Sequence, residues 1–116
     1  VKMIDKGYDL EGLYDYLTTK KCKDIAFYDF NKEGHDYKYV ILVTVSNVAS
    51  NKKFASLLME EMGLSDFPDG YSKGEWIIFD FGDIVLHSFV PETREKYSLD
   101  KLYSTKKLNL TKQNKK

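Results

Sequence analysis

Four consecutive branched aliphatic residues, Val40 to Val43, constrain the fold more than any other feature of the sequence. They lie in a segment from Tyr37 to Val45 that has the length and composition of a β-strand. A strand with one wet face alternates apolar and polar residues, whereas an unbroken apolar run indicates burial on both faces. The segment therefore belongs to a β-sheet that has helices packed on it.

Apolar patterns on both sides of this strand predict the other elements. Apolar residues at helical spacing follow Asp9, a suitable N-cap, and a second amphipathic segment follows Ser46-Asn47, with Ser50 as a rival cap, and ends at Gly63. The remaining predicted elements are a strand over Asp24–Phe30, a loop over 63–74, a hairpin over Glu75–Phe89, a helix over Pro91–Tyr97 and one further turn from Ser98. The order helix, strand, strand, helix, strand, strand, helix predicts an α/β (α+β) fold with a mixed sheet flanked by helices.

Length and charge bound the class of protein. The 116 residues suffice for one domain, which we place at residues 1–104, followed by a lysine-rich tail over 105–116 that we expect to be mobile. The tail holds five of the 18 basic residues and no acid, so the rest of the chain has 13 basic against 18 acidic residues, a net charge of −5. This charge disfavours a nucleic-acid-binding body and suits a basic protein partner, although a mildly acidic surface also serves solubility alone.

The residues that most often carry chemistry give no site in this sequence. Cys22 is the single cysteine, which excludes an internal disulfide and a cysteine-rich zinc site. His35 and His87 have no second histidine at metal-ligand spacing, and neither has a plausible catalytic partner nearby in the sequence. We therefore predict no catalytic residue, no metal and no cofactor. We also recognise no signal peptide and no membrane span, which favours a cytoplasmic protein without a membrane partner.

The predicted hairpin is the most informative segment. If Phe81 and Gly82 form its turn, opposed residues share a face, and the opposed pairs are Asp80 with Asp83, Ile78 with Val85 and Trp76 with His87. Such a face is too charged for a core and too apolar for solvent, which is typical of a binding surface with an apolar centre and a charged margin. We place Phe81 at the tip of the turn as a further contact. The predicted partner-binding residues are Trp76, Ile78, Asp80, Phe81, Asp83, Val85 and His87.

Two other interpretations of the hairpin stay open. In the first, the mixed face lies under a helix and both aspartates occupy the wet end of the turn. In the second, a one-residue bulge exchanges the two faces, since Phe81 is a poor residue for a turn position that requires positive φ.

The hairpin and the segment after it resemble the ribosomal silencing factor family, also called the Iojap-like family. The family's pattern of Trp, apolar run, Asp, apolar residue, Gly-Asp, apolar run and His is matched from Trp76 to His87. Its next pattern, Glu-x-Arg-x-x-Tyr-x-Leu-x-x-Leu-aromatic, is matched from Glu92 to Tyr103. The resemblance covers roughly residues 8–103 and departs at Thr44–Ser50, where the family's usual glycine, arginine and histidine are absent.

The resemblance implies a fold similar to the nucleotidyltransferase core in a protein that is not an enzyme. Members of the family bind the fourteenth protein of the large ribosomal subunit, and they repress translation by sterically blocking the joining of the two subunits. On this model the partner is the large subunit, no direct contact with nucleic acid is required, and a homodimer of the free protein stays open as a further state.

A second hypothesis belongs to a different class. It is a degenerate nucleotidyltransferase-like domain that binds nucleotide or metal through Asp80 and Asp83. The sequence contains neither the Gly-Ser dipeptide nor the Asp-x-Asp pair that the active core requires, so catalysis is not expected on this hypothesis either.

Overall fold

The computed structural model describes residues 9–32 and 34–110. The elements in chain order are α1 (Leu10–Thr19), β1 (Lys23–Asp29), β2 (Tyr39–Thr44), α2 (Val48–Met62), β3 (Trp76–Asp80), β4 (Ile84–Phe89), α3 (Pro91–Tyr97), α4 (Leu99–Leu102) and β5 (Lys107–Leu108). The predicted order is confirmed for the first seven elements. No helix within the described ranges is long and apolar enough to cross a membrane.

The strands form one mixed sheet in the order β3-β4-β2-β1-β5. β2 is the central strand, antiparallel to β1 and parallel to β4, and β3 pairs antiparallel with β4 at one edge. Val40 to Val43 are each at most 2% exposed, because both faces of β2 are covered. The apolar run thus has the two-sided burial that the sequence predicts, and the predicted fold class is confirmed.

Two apolar clusters fill the two sides of the sheet. On one side α1 and α2 pack through residues such as Leu17 and Phe54 onto Ile41 and Phe79 of the strands. On the other side the residues after β4 cover a smaller cluster, and the residues that meet there are Tyr28, Phe30, Val40, Leu42, Phe89, Leu99 and Tyr103. Neither α3 nor α4 contains a buried residue, so this second side is covered less completely than the first.

Local capping signals set the ends of the two long helices. Asp9 Oδ1 accepts a hydrogen bond from the Gly12 N–H at 2.7 Å at the start of α1. At the start of α2, Asn47 Oδ1 accepts from the Ser50 N–H at 2.8 Å, so Asn47 is the cap and Ser50 is not. Each side chain satisfies a backbone donor that has no partner within its helix.

The hairpin of β3 and β4 turns one residue later than predicted. The Phe81 N–H donates to the Ile84 carbonyl at 2.9 Å, so Gly82 and Asp83 form the two-residue turn. Gly82 has a φ of 88°, a region that glycine occupies without strain and phenylalanine does not. The predicted turn is wrong because the first central residue of the observed turn has a positive φ, which suits Gly82 and not Phe81.

The predicted pairing across the hairpin is wrong by two positions. The observed pairs are Asp80 with Val85, Ile78 with His87 and Trp76 with Phe89. Because side chains alternate between faces with a period of two, a shift of two leaves every strand residue on its predicted face. The bulge that would exchange the faces is excluded by the same continuous register.

Part of the predicted mobile tail belongs to the sheet. β5 pairs with Phe27 and Tyr28 of β1, and Leu108 and Leu110 pack against the α1–α2 side of the sheet. The expectation of a mobile tail from residue 105 is therefore wrong over 107–110, because apolar side chains there find a strand edge to cover. The rest of that tail, 111–116, lies outside the described residues.

Candidate protein-binding site

Five of the seven predicted binding residues lie together on one face of the hairpin. These five residues, which we call the hairpin face, are Trp76, Ile78, Asp80, Val85 and His87. Asp80 is exposed and the other four are half-buried. The face therefore has an apolar centre that still reaches solvent and a carboxylate at its turn end.

Trp76 is held in place by its neighbours. Its Nε1–H donates to His87 Nδ1 at 3.0 Å. Its ring lies 5.0 Å from the ring of Phe89 and 4.8 Å from that of Tyr97, measured between centroids. A large aromatic with a fixed orientation and a solvent-facing edge has little conformational entropy to lose on contact with a partner.

His87 serves this arrangement as a neutral acceptor. Burial lowers its pKa from an ordinary 6.5 to about 4, so the imidazole is uncharged near neutral pH. Its Nδ1 lone pair accepts the indole hydrogen bond, which leaves that atom unable to take a proton or a metal. Within the described residues, no group of three or more His, Cys, Asp or Glu side chains is placed to hold a metal ion.

Phe81 does not lie at the tip of the turn, and Asp83 does not lie opposite Asp80, as the sequence predicted. Phe81 is 2% exposed and stacks on Phe79 on the opposite side of the sheet, because the later turn makes it an inward-facing strand position. Asp83 is also buried, and its carbonyl accepts from the N–H groups of Lys38 and Tyr39 at 2.7 and 3.2 Å. Both residues were predicted to be accessible to a partner at the turn, and their burial shows that this placement is wrong.

The two turn aspartates also do not form the opposed pair that a metal or nucleotide would bridge. Asp80 pairs with Val85, and its Oδ1 accepts from the Gly82 N–H at 2.9 Å. The carboxylate of Asp80 therefore stabilises the turn, and Asp80 is exposed whereas Asp83 is buried.

A cleft of about 480 Å³ extends the hairpin face beyond the edge of β3. It lies between the strands and the loop after α2, where the Ile78 N–H donates to the Asp69 carbonyl at 3.0 Å. Phe67, 67% exposed, lines it together with the carboxylates of Asp66, Asp69 and Asp80. The sequence analysis did not assign these loop residues to the site, because they lie in an irregular segment without a periodic pattern. An aromatic residue between two aspartates was nevertheless a sequence feature that could have indicated a binding surface.

Tyr97 and Leu102 are further exposed apolar residues that the sequence reasoning did not assign to the site. Tyr97 is half exposed beside Trp76, and Leu102 is 72% exposed on α4. Both belong to the motif that follows the hairpin. Their helical spacing suggested packing, but only Leu99 and Tyr103 of that segment face the sheet.

Arg94 fixes the C-terminal helices that carry Tyr97. Its guanidinium binds both carboxylate oxygens of Asp100, at 3.0 and 2.9 Å, and donates to Thr44 Oγ1 at 3.0 Å and to the carbonyl of Asp24. The Tyr28 hydroxyl donates to the same carboxylate at 2.6 Å. The Arg94 hydrogen bonds lower the pKa of Asp100 below its ordinary value, and burial raises the pKa of Tyr28. This cluster ties α3 and α4 to the ends of β1 and β2.

Comparison with known proteins gives consistent results for the sequence and for the fold. A family model described as "Ribosomal silencing factor during starvation" matches residues 6–116. The chain is 29% identical over 91 residues to the "Ribosomal silencing factor RsfS" of Chromobacterium violaceum, covering 75% of each chain. It is 39% identical over 108 residues to the mouse protein "Mitochondrial assembly of ribosomal large subunit protein 1", covering 87% of this chain and 47% of that relative, about half its length.

Solved structures show the same fold. A crystal structure of a Chromobacterium violaceum protein superposes with a TM-score of 0.67 at 27% identity, covering 78% of this chain and 79% of that one. A Bacillus halodurans structure superposes with a TM-score of 0.63 at 20% identity, covering 83% and 91%, and supports the fold alone. With the sequence motif, the match over most of the chain and the shared fold, this chain belongs to the ribosomal silencing factor family.

Proposed function

We propose that this protein binds the large ribosomal subunit through the hairpin face and represses translation by blocking the joining of the small subunit. Membership of the ribosomal silencing factor family supports the ribosome as the partner. The mouse relative, named for assembly of the large subunit, supports that subunit in particular. We infer that the contact is made with the fourteenth large-subunit protein, as the family resemblance implies.

The observation that carries the proposal is the half-buried, oriented Trp76 in a face with an acidic margin. Aromatic side chains at an interface centre supply much of the binding energy, and the charges around them steer association. Three exposed acidic residues line the cleft beside this face, and they are Asp66, Asp69 and Asp80. A basic ribosomal protein offers the complementary charge.

The proposed action needs occupancy of a surface and no chemistry. His87 Nδ1 accepts the Trp76 hydrogen bond, and burial raises the pKa of the Cys22 thiol to about 12, so neither group is suited to act as a base or nucleophile near neutral pH. We accordingly propose a protein that is not an enzyme and acts without a cofactor. The competing nucleotide or metal site at Asp80 and Asp83 has no support, because the two carboxylates are not opposed.

A charge-reversal pair tests the binding surface. Asp80→Lys places a cation at the margin of the hairpin face, whereas Asp15→Lys makes the same charge change at an exposed position of α1, on the opposite side of the sheet. Co-sedimentation with isolated large subunits should be weakened at least tenfold by Asp80→Lys and left unchanged by Asp15→Lys. Equal binding by both variants would contradict the proposed surface.

The mechanism is tested by light scattering of mixed small and large subunits. Inhibition of subunit joining should saturate near one protein per large subunit, reverse on dilution and need no nucleotide. Inhibition far below that ratio, or a requirement for a nucleoside triphosphate, would indicate an enzyme instead. Sizing of the free protein by the same method tests self-association.

The cellular compartment in which the protein acts is the one that contains the ribosomes it binds. We propose the cytoplasm, as expected from the sequence, whereas the name of the mouse relative assigns that protein to mitochondria. Cell fractionation followed by immunodetection distinguishes the two compartments.

A further inference from the structure

A cleft of about 370 Å³ lies on the other side of the sheet from the hairpin face, between the end of α1 and the start of α2. Its polar lining consists of ammonium and hydroxyl groups, from Lys20, Lys21, Lys53, Thr19, Ser46 and Ser50. Among the residues that the structure describes, no carboxylate lines it. In a chain whose body is otherwise acidic, this is a concave surface of the opposite sign.

The three lysine side chains differ in whether they have an ion-pair or hydrogen-bond partner. Lys20 Nζ forms an ion pair with Glu61 Oε2 at 3.0 Å. The side chains of Lys21 and Lys53 form no hydrogen bond or ion pair with any other described residue. Two unneutralised cations that face one concave space raise its potential, and an anion between them relieves their repulsion.

The start of α2 adds to the same field. Of the lining residues, Ser46 lies just before the cap of this 15-residue helix and Ser50 lies within its first turn, where the helix N-terminus carries a partial positive charge. Hydroxyl donors beside ammonium groups are the side chains that proteins use to bind phosphate oxygens. The lining of the cleft therefore suits a phosphate group, which lysine binds as a point charge and serine and threonine bind through their hydroxyls.

We propose that this cleft binds a phosphate group, supplied by the backbone of an RNA strand. The proposal rests on the proposed function for the source of the RNA, because a ribosome-bound protein meets ribosomal RNA. Phe54, the aromatic residue of the lining, is 4% exposed and offers no ring face on which the base of a free nucleotide could stack.

Two double variants with equal charge isolate the cleft. Lys21→Gln with Lys53→Gln removes its two unpaired cations, and Lys32→Gln with Lys101→Gln removes two exposed cations elsewhere. The probe is a fluorescein-labelled 12-nucleotide oligouridylate, titrated by fluorescence anisotropy over a series of salt concentrations. Amide NMR spectra of the isotope-labelled protein with the oligonucleotide, ATP or inorganic phosphate locate the contact.

The oligonucleotide should shift the amide signals of Ser46 and Ser50 while leaving the Trp76 indole signal in place. The cleft variant should bind the oligonucleotide roughly tenfold more weakly, with a salt slope reduced by about 0.7, because the two lysines share one phosphate contact. The control variant should change the slope by much less.

Saturation of those shifts by ATP or inorganic phosphate at lower concentrations than by the oligonucleotide would overturn the RNA source. Absence of any shift at the cleft, or equal weakening in the two variants, would overturn the phosphate site. Neither result touches the proposed function, because co-sedimentation of the Asp80→Lys and Asp15→Lys variants with large subunits reports separately on the hairpin face.

Discussion

Replacement of Arg94 by methionine is expected to loosen the attachment of the two C-terminal helices to the sheet. The Arg94 side chain is only 12% exposed, and its guanidinium links Asp100 of α4 to Thr44 and to the backbone of Asp24. Methionine keeps most of the apolar stem but removes all of these hydrogen bonds. The variant therefore isolates the polar cluster from the packing around it.

The size of the effect follows from what is left without a partner. Hydrogen bonds to a charged group contribute roughly 1.5–3 kcal/mol each when buried, and several are lost here. The carboxylate of Asp100 is 39% exposed and can regain water, so the ion pair itself is discounted. We expect a loss of about 3 kcal/mol in the free energy of unfolding, or a melting temperature lower by about 10 °C in a domain of this length.

Urea unfolding and thermal melts followed by circular dichroism measure the loss. Arg94→Lys keeps the charge without the planar fork and should lose about half as much stability as Arg94→Met. Because Arg94 holds the pKa of Asp100 below its ordinary 3.8, the pair stabilises the protein above that pH and its contribution is lost as the pH falls further. A melting temperature of Arg94→Met within about 2 °C of wild type would refute the reasoning.

Four further outcomes are expected. Burial holds the pKa of His87 near 4, so stability should be constant above pH 6.5 and fall by up to about 3 kcal/mol toward pH 4, a dependence that His87→Phe abolishes in thermal melts. Asn51→Leu leaves the Ser88 hydroxyl without its buried partner and should cost about 2 kcal/mol in urea unfolding. Cys22, with its pKa raised to about 12, should react with a thiol reagent at pH 8 only in denaturant, and rapid labelling of native protein would contradict its burial. Asp80→Asn should slow association with large subunits more at low salt than at high salt, and a salt-independent rate would argue against electrostatic steering.

The elements that local physics specifies were predictable from the sequence. The run from Val40 to Val43 indicated a strand covered on both faces, and Asp9 and Gly63 marked helix ends that the structure confirms. These features depend on residues close in sequence, where spacing and backbone preference decide the outcome. Strand β5 escaped prediction because Leu108 pairs with Phe27, and the surrounding lysines hid its apolar character.

The sequence predicted which residues share the hairpin face, but it predicted the turn between β3 and β4 at the wrong position. Assignment of Trp76, Ile78 and His87 to one face needed only the alternation of strand side chains. Phe81 could be placed only once the type of the turn was known. From sequence alone, Gly82 could occupy either of the two central positions of a two-residue turn, and only its positive φ in the structure shows that it occupies the first. The contact of Tyr97 with Trp76 depends on how α3 returns across the sheet, which no local pattern specifies.

The parallel pairing of β2 with β4 also governs the order in which the chain can fold. β1 and β2 pair as neighbours in sequence, as do β3 and β4, so each antiparallel unit closes only a short loop. The central ladder between Tyr39 and Ile84 needs both units and the intervening α2. Contacts of such high sequence separation form slowly. During synthesis, one edge of the most apolar strand therefore stays unpaired until β4 has emerged, and the nascent chain is most vulnerable to aggregation over that interval.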